Sequence, residues 1–174
     1  MNYFEVLYDT IKPFLDGEKR PLNTMEVSNM WLYTAMGETT LRIEQITINT
    51  VEDEELRKIM ELALQTHSEV VNEVKDFLLK HSVPLPTPSP EKPMGDFKDI
   101  PDGAKLTDQE VANSLSFNLV SALTYGVRGL SESIRADVAY MFAKFLIKHL
   151  TLAVQLKQLM EKKGWIQYAP PFKP

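Results

Sequence analysis

Apolar residues recur at helical spacing through two long stretches of the chain. In the first, Val27, Met30, Thr34, Gly37, Leu41, Glu44 and Ile48 fall three or four residues apart, with Trp31 and Glu38 beside that seam. Asn23 precedes the stripe and Glu26 follows three residues later, the pairing of a capping box, so a helix is predicted from about Asn23 to Thr50. The acidic run Glu52-Asp53-Glu54-Glu55 suits the positive end of a helix dipole and opens the next helix. Its stripe is Leu56, Met60, Ala63, His67, Val70, Val74, Phe77 and Leu78. In the second stretch, Thr107 and Glu110 form another capping box, ahead of Val111, Leu115, Leu119, Ala122 and Leu123. Gly126 and Gly129 are expected to weaken the end of this helix, with a turn near Ser131. The last helix carries Ile134, Val138, Phe142, Phe145, His149, Leu152, Leu156 and Leu159, and Gly164 stands at its C-terminal cap position. A short amphipathic element is predicted at residues 2–15, with Phe4, Leu7, Tyr8, Ile11 and Leu15 on one side. No strand pattern competes with these helices.

Between the two stretches, Pro84, Pro86, Pro88 and Pro90 stand at every second position. Each lacks an N–H and fixes φ, so neither a helix nor a central strand can pass through. The segment is therefore extended, close to polyproline II. A helix of about 30 residues is roughly 45 Å long. The crossover, about 24 residues at about 3.1 Å each, can travel the whole length of a bundle. An up-down-up-down arrangement would need only a short loop there. The pattern predicts an all-α fold, a ferritin-like four-helix bundle with one long crossover between its helix pairs. One domain spans residues 1–174: helical hairpin 24–82, extended crossover 83–106, helical hairpin 107–163 and extended tail 164–174, with the short extra N-terminal helix ahead of them. The alternating prolines also resemble a ligand for a proline-binding groove, but a crossover packed on the bundle is the simpler use of them.

Composition narrows the function. The 174 residues are 44% hydrophobic and 25% charged, enough for a core that needs no disulfide or metal to hold it. A net charge of −5 argues against nucleic acid or an anionic membrane surface as the main partner. No apolar run reaches the roughly 18 residues of a membrane helix, so no membrane insertion is expected. The absence of cysteine excludes thiol catalysis and thiolate metal sites. No secretory signal is visible, which predicts a cytoplasmic protein.

Bundles of this kind can hold two metal ions with one Glu from each of two helices and a Glu-x-x-His from each of the other two. Two histidines do lie on inward stripes, His67 and His149, but Leu64 and Leu146 stand three residues before them, so both motifs read L-x-x-H. The first long helix offers Glu38 or Glu44, and the third offers no central acid, only Asn118 and Tyr125. Placing the first hairpin's turn at Glu52 sets Glu38 level with Thr66, beside His67. A Glu38–His67 hydrogen bond would satisfy both groups without a metal. No catalytic residue and no cofactor are predicted. If a metal sits in this bundle, Glu38, His67 and His149 are the residues that would hold iron, manganese or zinc. His81, at a helix end, is read as a solvated cap, and Arg128 and Arg135 as partners of Glu132 and Asp137. Trp31 and the methionines at helical spacing are read as core, not as a cofactor box.

Three segments carry a resemblance: M-W-L-Y-T-A-M-G-E-T-T-L-R in the first hairpin, F-L-L-K-H-S-V-P-L-P-T-P-S-P-E-K-P across the crossover, and the closing L-M-E-K-K-G-W-I-Q-Y-A-P-P. The chain resembles the spore-coat-protein-F-like group of endospore-forming bacteria, and more narrowly a sister family with the same proline-rich crossover. The resemblance implies a ferritin-like bundle and a structural, spore-coat or sporulation-associated role, with deposition in the spore coat and spore-coat proteins as partners. It carries no catalytic residues over. Members of that group often hold two fused copies; this chain has one, which leaves a homodimer open as the source of the second. The alternative is a metal-binding ferritin-like oxidoreductase with a reduced Glu/His site.

Overall fold

The computed structural model describes residues 20–172, so the short element expected at residues 2–15 lies outside the described residues. Those described form an all-α structure of four long helices and no strand. Helix α1 spans Thr24–Thr47 and tightens into a 3-10 turn at Ile48–Thr50. Helix α2 spans Glu54–Lys80, α3 Asp108–Glu132 and α4 Ala136–Lys163. The capping boxes form as the sequence dictates. Asn23 Oδ1 accepts from the Glu26 N–H at 2.9 Å while Glu26 Oε2 accepts from the Asn23 N–H at 3.0 Å, and Thr107 and Glu110 repeat the exchange on α3. Gly164 closes α4 in the left-handed region at φ 71°, where a side chain would be strained.

Within each hairpin the helices are antiparallel; between hairpins, α1 packs on α3 and α2 on α4. Two acidic side chains join the hairpins at opposite ends. Glu26, in the first turn of α1, accepts from the Ile134 and Arg135 N–H groups in the α3–α4 turn, at 2.9 and 2.6 Å. Asp108, the first residue of α3, accepts from the Glu52 and Asp53 N–H groups in the α1–α2 turn, at 2.9 and 3.1 Å. The start of each first helix thus lies beside the other hairpin's turn, so the four helices run up, down, down, up. The chain must return along the full bundle between α2 and α3.

It does so on α1. The Trp31 indole N–H donates to the Pro84 carbonyl at 3.0 Å, Arg42 Nε to Ser89 O at 2.8 Å, and Asn49 Nδ2 to Pro93 O at 3.3 Å. Gln45 Oε1 and Asn49 Oδ1 accept from the Lys92 and Gly95 N–H groups at 3.0 and 2.9 Å. The prolines donate nothing; the segment's carbonyls and few remaining N–H groups supply the contacts. Trp31 is therefore a partly exposed strap for the crossover, and Met25, Met36 and Met94 are also exposed, whereas Met30, Met60, Met141 and Met160 are core.

Two other expectations change. Helix α3 runs straight through Gly126 and Gly129, because these glycines are sites of close helix approach. A Cβ on Gly126 would lie 2.9 Å from Leu146 Cδ2, and one on Gly129 2.4 Å from Phe142 Cζ. Packing overrides the weak helix propensity. Ile134 is not part of the α4 stripe; it sits in the turn and is exposed.

The core has two apolar halves. One gathers Ile48, Leu56, Met60, Leu115, Leu119 and Leu156 at the α1–α2 turn. The other gathers Met30, Val74, Leu78, Phe142 and Phe145 towards the α3–α4 turn.

Candidate functional site

A polar layer separates the two apolar halves. Glu44 comes from the α1 seam between Leu41 and Ile48, His67 from the α2 stripe between Ala63 and Val70, and His149 from the α4 stripe between Phe145 and Leu152. All three are buried, with Glu44 1% exposed and His149 2%. His67 Nδ1 lies 2.8 Å from Glu44 Oε2 and donates to it, while Glu44 Oε1 accepts from Asn118 Nδ2 at 3.3 Å. The His67 and His149 rings stack, with centroids 5.1 Å apart and planes 19° apart. His149 Nδ1 donates to the Phe145 carbonyl one turn back, at 2.7 Å. Burial, with the neighbouring His67 adding to it, lowers the His149 pKa to about 4. At neutral pH its ring is uncharged, with the proton on Nδ1 and a lone pair on Nε2.

His67, His149 and Asn118 border a cavity of about 40 Å³, lined also by Tyr33, Gly37 and Tyr125. Among the described residues, the buried side-chain polar atoms without a hydrogen-bond partner are Tyr33 Oη and His67 Nε2, and both residues line this cavity. Burial also raises the Tyr33 pKa above its ordinary value, so the phenol stays protonated.

The structure thus brings His67 and His149 together, and it replaces their expected carboxylate. Glu38 does not reach His67. It accepts from Arg42 Nη2 at 3.0 Å and from Lys75 Nζ at 2.8 Å, between α1 and α2. Glu44 takes the place expected for Glu38 because the hairpin is centred later than Glu52. Residues 48–50 rise about 2.0 Å each and the extended residues 51–53 more than about 3 Å each, against about 1.5 Å in an α-helix. The α1 limb therefore climbs further per residue, and α2 must descend through more residues to come level. Glu44 was visible on the inward seam; the turn geometry decided which acid met the histidine.

His81 is the C-cap residue of α2, as expected, but it is half-buried rather than solvated. It stacks on Phe77 with centroids 4.5 Å apart, donates from Nδ1 to Phe77 O at 2.8 Å, and presents Nε2 to Arg135 Nη1 at 3.3 Å. Arg135 holds Asp137 bidentately, at 3.0 and 2.7 Å, and Arg128 holds Glu132, as the spacing predicts.

A carboxylate-bridged metal pair does not fit these donors. One carboxylate enters the layer, and His67 and Asn118 already occupy its oxygens. Leu64 packs on the core, and Leu146 lies against Gly126. Hard cations need more carboxylate charge than this. Among the described residues no group of three or more His, Cys, Asp and Glu side chains is spaced to hold a metal, and no helix is long and apolar enough to cross a membrane.

A family model for proteins of unknown function, DUF3231, matches residues 13–174. The chain belongs to the DUF3231 family. A relative in this range is the uncharacterized protein YvdQ of Bacillus subtilis strain 168, 30% identical over 149 residues that cover 86% of this chain and 88% of YvdQ. A crystal structure of a "putative spore coat protein" from Bacillus halodurans C-125 superposes with a TM-score of 0.85 at 27% identity, covering 89% of this chain and 98% of that one. A conserved hypothetical protein of Mycobacterium tuberculosis shares the fold, with a TM-score of 0.65 at 11% identity, covering 79% of this chain and 98% of that one. DUF3231 is described as a family of unknown function, so the polar layer is read from its own geometry.

Proposed function

We propose that this chain is a non-enzymatic structural and interaction protein of the spore, built on a ferritin-like bundle whose metal site has become an internal Glu–His–His polar layer. The up-down-down-up topology with its full-length crossover supports the ferritin-like reading. The observation that carries the functional part is the Glu44–His67 bond. The single carboxylate of the layer is spent on a histidine and an asparagine, and leucines stand where two further carboxylates would be needed. Likeness to the Bacillus halodurans protein supports the spore coat as its destination.

One observation favours a second reading. Both imidazoles have Nδ1 tied to an acceptor, Glu44 for His67 and the Phe145 carbonyl for His149. Metal-ligating histidines are oriented in this way, with Nε2 turned to the ion. A single borderline cation such as zinc, held by the two Nε2 atoms, suits such donors better than iron or manganese.

One preparation tests both readings. The untagged protein is produced in sporulating Bacillus subtilis with iron, manganese and zinc supplied, then followed into the coat extract and analysed for elements. Metal-free protein in the coat extract is the expected result. Protein absent from the coat removes the coat role, and near-stoichiometric metal that disappears in His67→Leu replaces the metal-free reading with the second.

A further inference from the structure

We propose that the outward face of α3 and α4 is the twofold interface of a homodimer. From Val111 to Val127 no residue is charged, although α3 is a surface helix whose outer side would ordinarily carry charge. On that side Phe117, Val120 and Val127 lie at helical spacing, and on α4 Tyr140, Ile147 and Val154 do the same. All six are between 52% and 77% exposed. The two charged residues of α4 within that span, Lys144 and Lys148, turn to Glu73 and Glu69 of α2 and leave the face uncharged. A largely apolar groove of about 330 Å³ between α3 and α4, bordered by Val120 and Ala153 and carrying the exposed Lys157 on its wall, continues the face inward.

The first hairpin does not share this condition. Its α1 side is overlaid by the crossover, tied down by Trp31, Arg42, Gln45 and Asn49. On the second hairpin the described tail reaches only one end, where Gln109 Nε2 donates to the Trp165 carbonyl and Ile166 lines the groove. The exposed parts of these six side chains together are of the same order as the ~800 Å² per partner that a standard interface buries.

The occupant is a second copy because of charge. The molecule carries a net −5, so copies repel over most of their surface. An uncharged apolar face has as its complement another of the same kind, and the chain itself supplies one. An isologous pairing places each patch on its twin. This inference does not depend on where the protein acts.

Sedimentation of the full chain at micromolar concentration tests it. The expected mass is twice 19.9 kDa. Val120→Glu should weaken the dimer on the order of 100-fold, because each interface would bury two carboxylates without a partner. Leu79→Glu, at an exposed position of α2, should leave the dimer intact. A monomeric wild-type chain overturns the proposal, including one in which residues 1–19 cover the face. So does a Val120→Glu protein that stays dimeric. Because the chain has no cysteine, a spin label on Val120→Cys gives an independent readout: dipolar coupling between two labels is expected, and its absence overturns the proposal even if the glutamate variant fails to fold.

Discussion

His149 is a histidine that folding keeps neutral. Its pKa falls from the ordinary 6.5 to about 4, first through burial and then through the neighbouring His67. Glu44, Tyr33, Tyr125 and Lys148 are the other ionisable groups around this layer. The unfolded chain binds a proton at His149 near pH 6.5, while the folded chain resists one until about pH 4. Stability from this residue is therefore complete above pH 6.5 and is lost as pH falls through that window, by about 3 kcal/mol in all. Urea midpoints measured from pH 7 to pH 4 should fall for the wild type, and the fall should be shallower in His149→Leu. Equal slopes in the two proteins would show that His149 does not resist protonation. Both histidines could be placed on inward stripes from spacing alone, since a 3-4 pattern fixes which face a residue takes. The acid could not. Glu38 and Glu44 are six residues apart, and choosing between them required the axial rise of the six residues in the turn, which hydrophobic spacing does not encode. The role of His81 was hidden for a similar reason: Arg135 approaches it from the other hairpin, 54 residues away.

At the scale of elements, helix caps and apolar stripes were legible because they are local. The capping boxes at Asn23 and Thr107 and the glycine after α4 formed where sequence put them. The second use of Glu26 was not legible. One carboxylate oxygen closes its own helix, and the other accepts two N–H groups more than a hundred residues on. Asp108 does the reciprocal service for the α1–α2 turn, so the two hairpins lock each other at both ends. The interior glycines also take their meaning from the opposing helix. Gly129→Ala should gain about 1 kcal/mol in helix propensity. It also places a Cβ 2.4 Å from Phe142 Cζ, a buried ring with no room to move. Overpacking of this kind costs about 1–3 kcal/mol, so the variant is expected to melt below the wild type. Gly103→Ala, where a Cβ meets nothing within 4 Å, should not. A Gly129→Ala protein as stable as the wild type would show that α3 and α4 can separate to admit a methyl group.

For the whole molecule the crossover decides the topology. Helix α2 has 27 residues, so its end lies about 40 Å from the start of the bundle's other end. Six extended residues reach at most about 22 Å. A short loop would force α3 to start beside the end of α2 and give an up-down-up-down bundle, with Glu26 and Asp108 facing the wrong turns. The long connection is thus what permits the reciprocal locking. It is also the element with the largest disorder to lose on folding, and the alternating prolines reduce that loss before folding begins. Each proline at a compatible position is worth about 0.4–1 kcal/mol through the unfolded chain. Replacing Pro84, Pro86, Pro88 and Pro90 together by alanine should therefore lower stability by about 2–4 kcal/mol. Helical circular dichroism should be unchanged, because Trp31, Arg42, Gln45 and Asn49 still grip backbone atoms of the crossover. Calorimetry and urea unfolding of the fourfold variant check this. An unchanged midpoint would mean that the crossover is restrained by its packing on α1 alone, and that the prolines serve only to keep strands and helices from forming there.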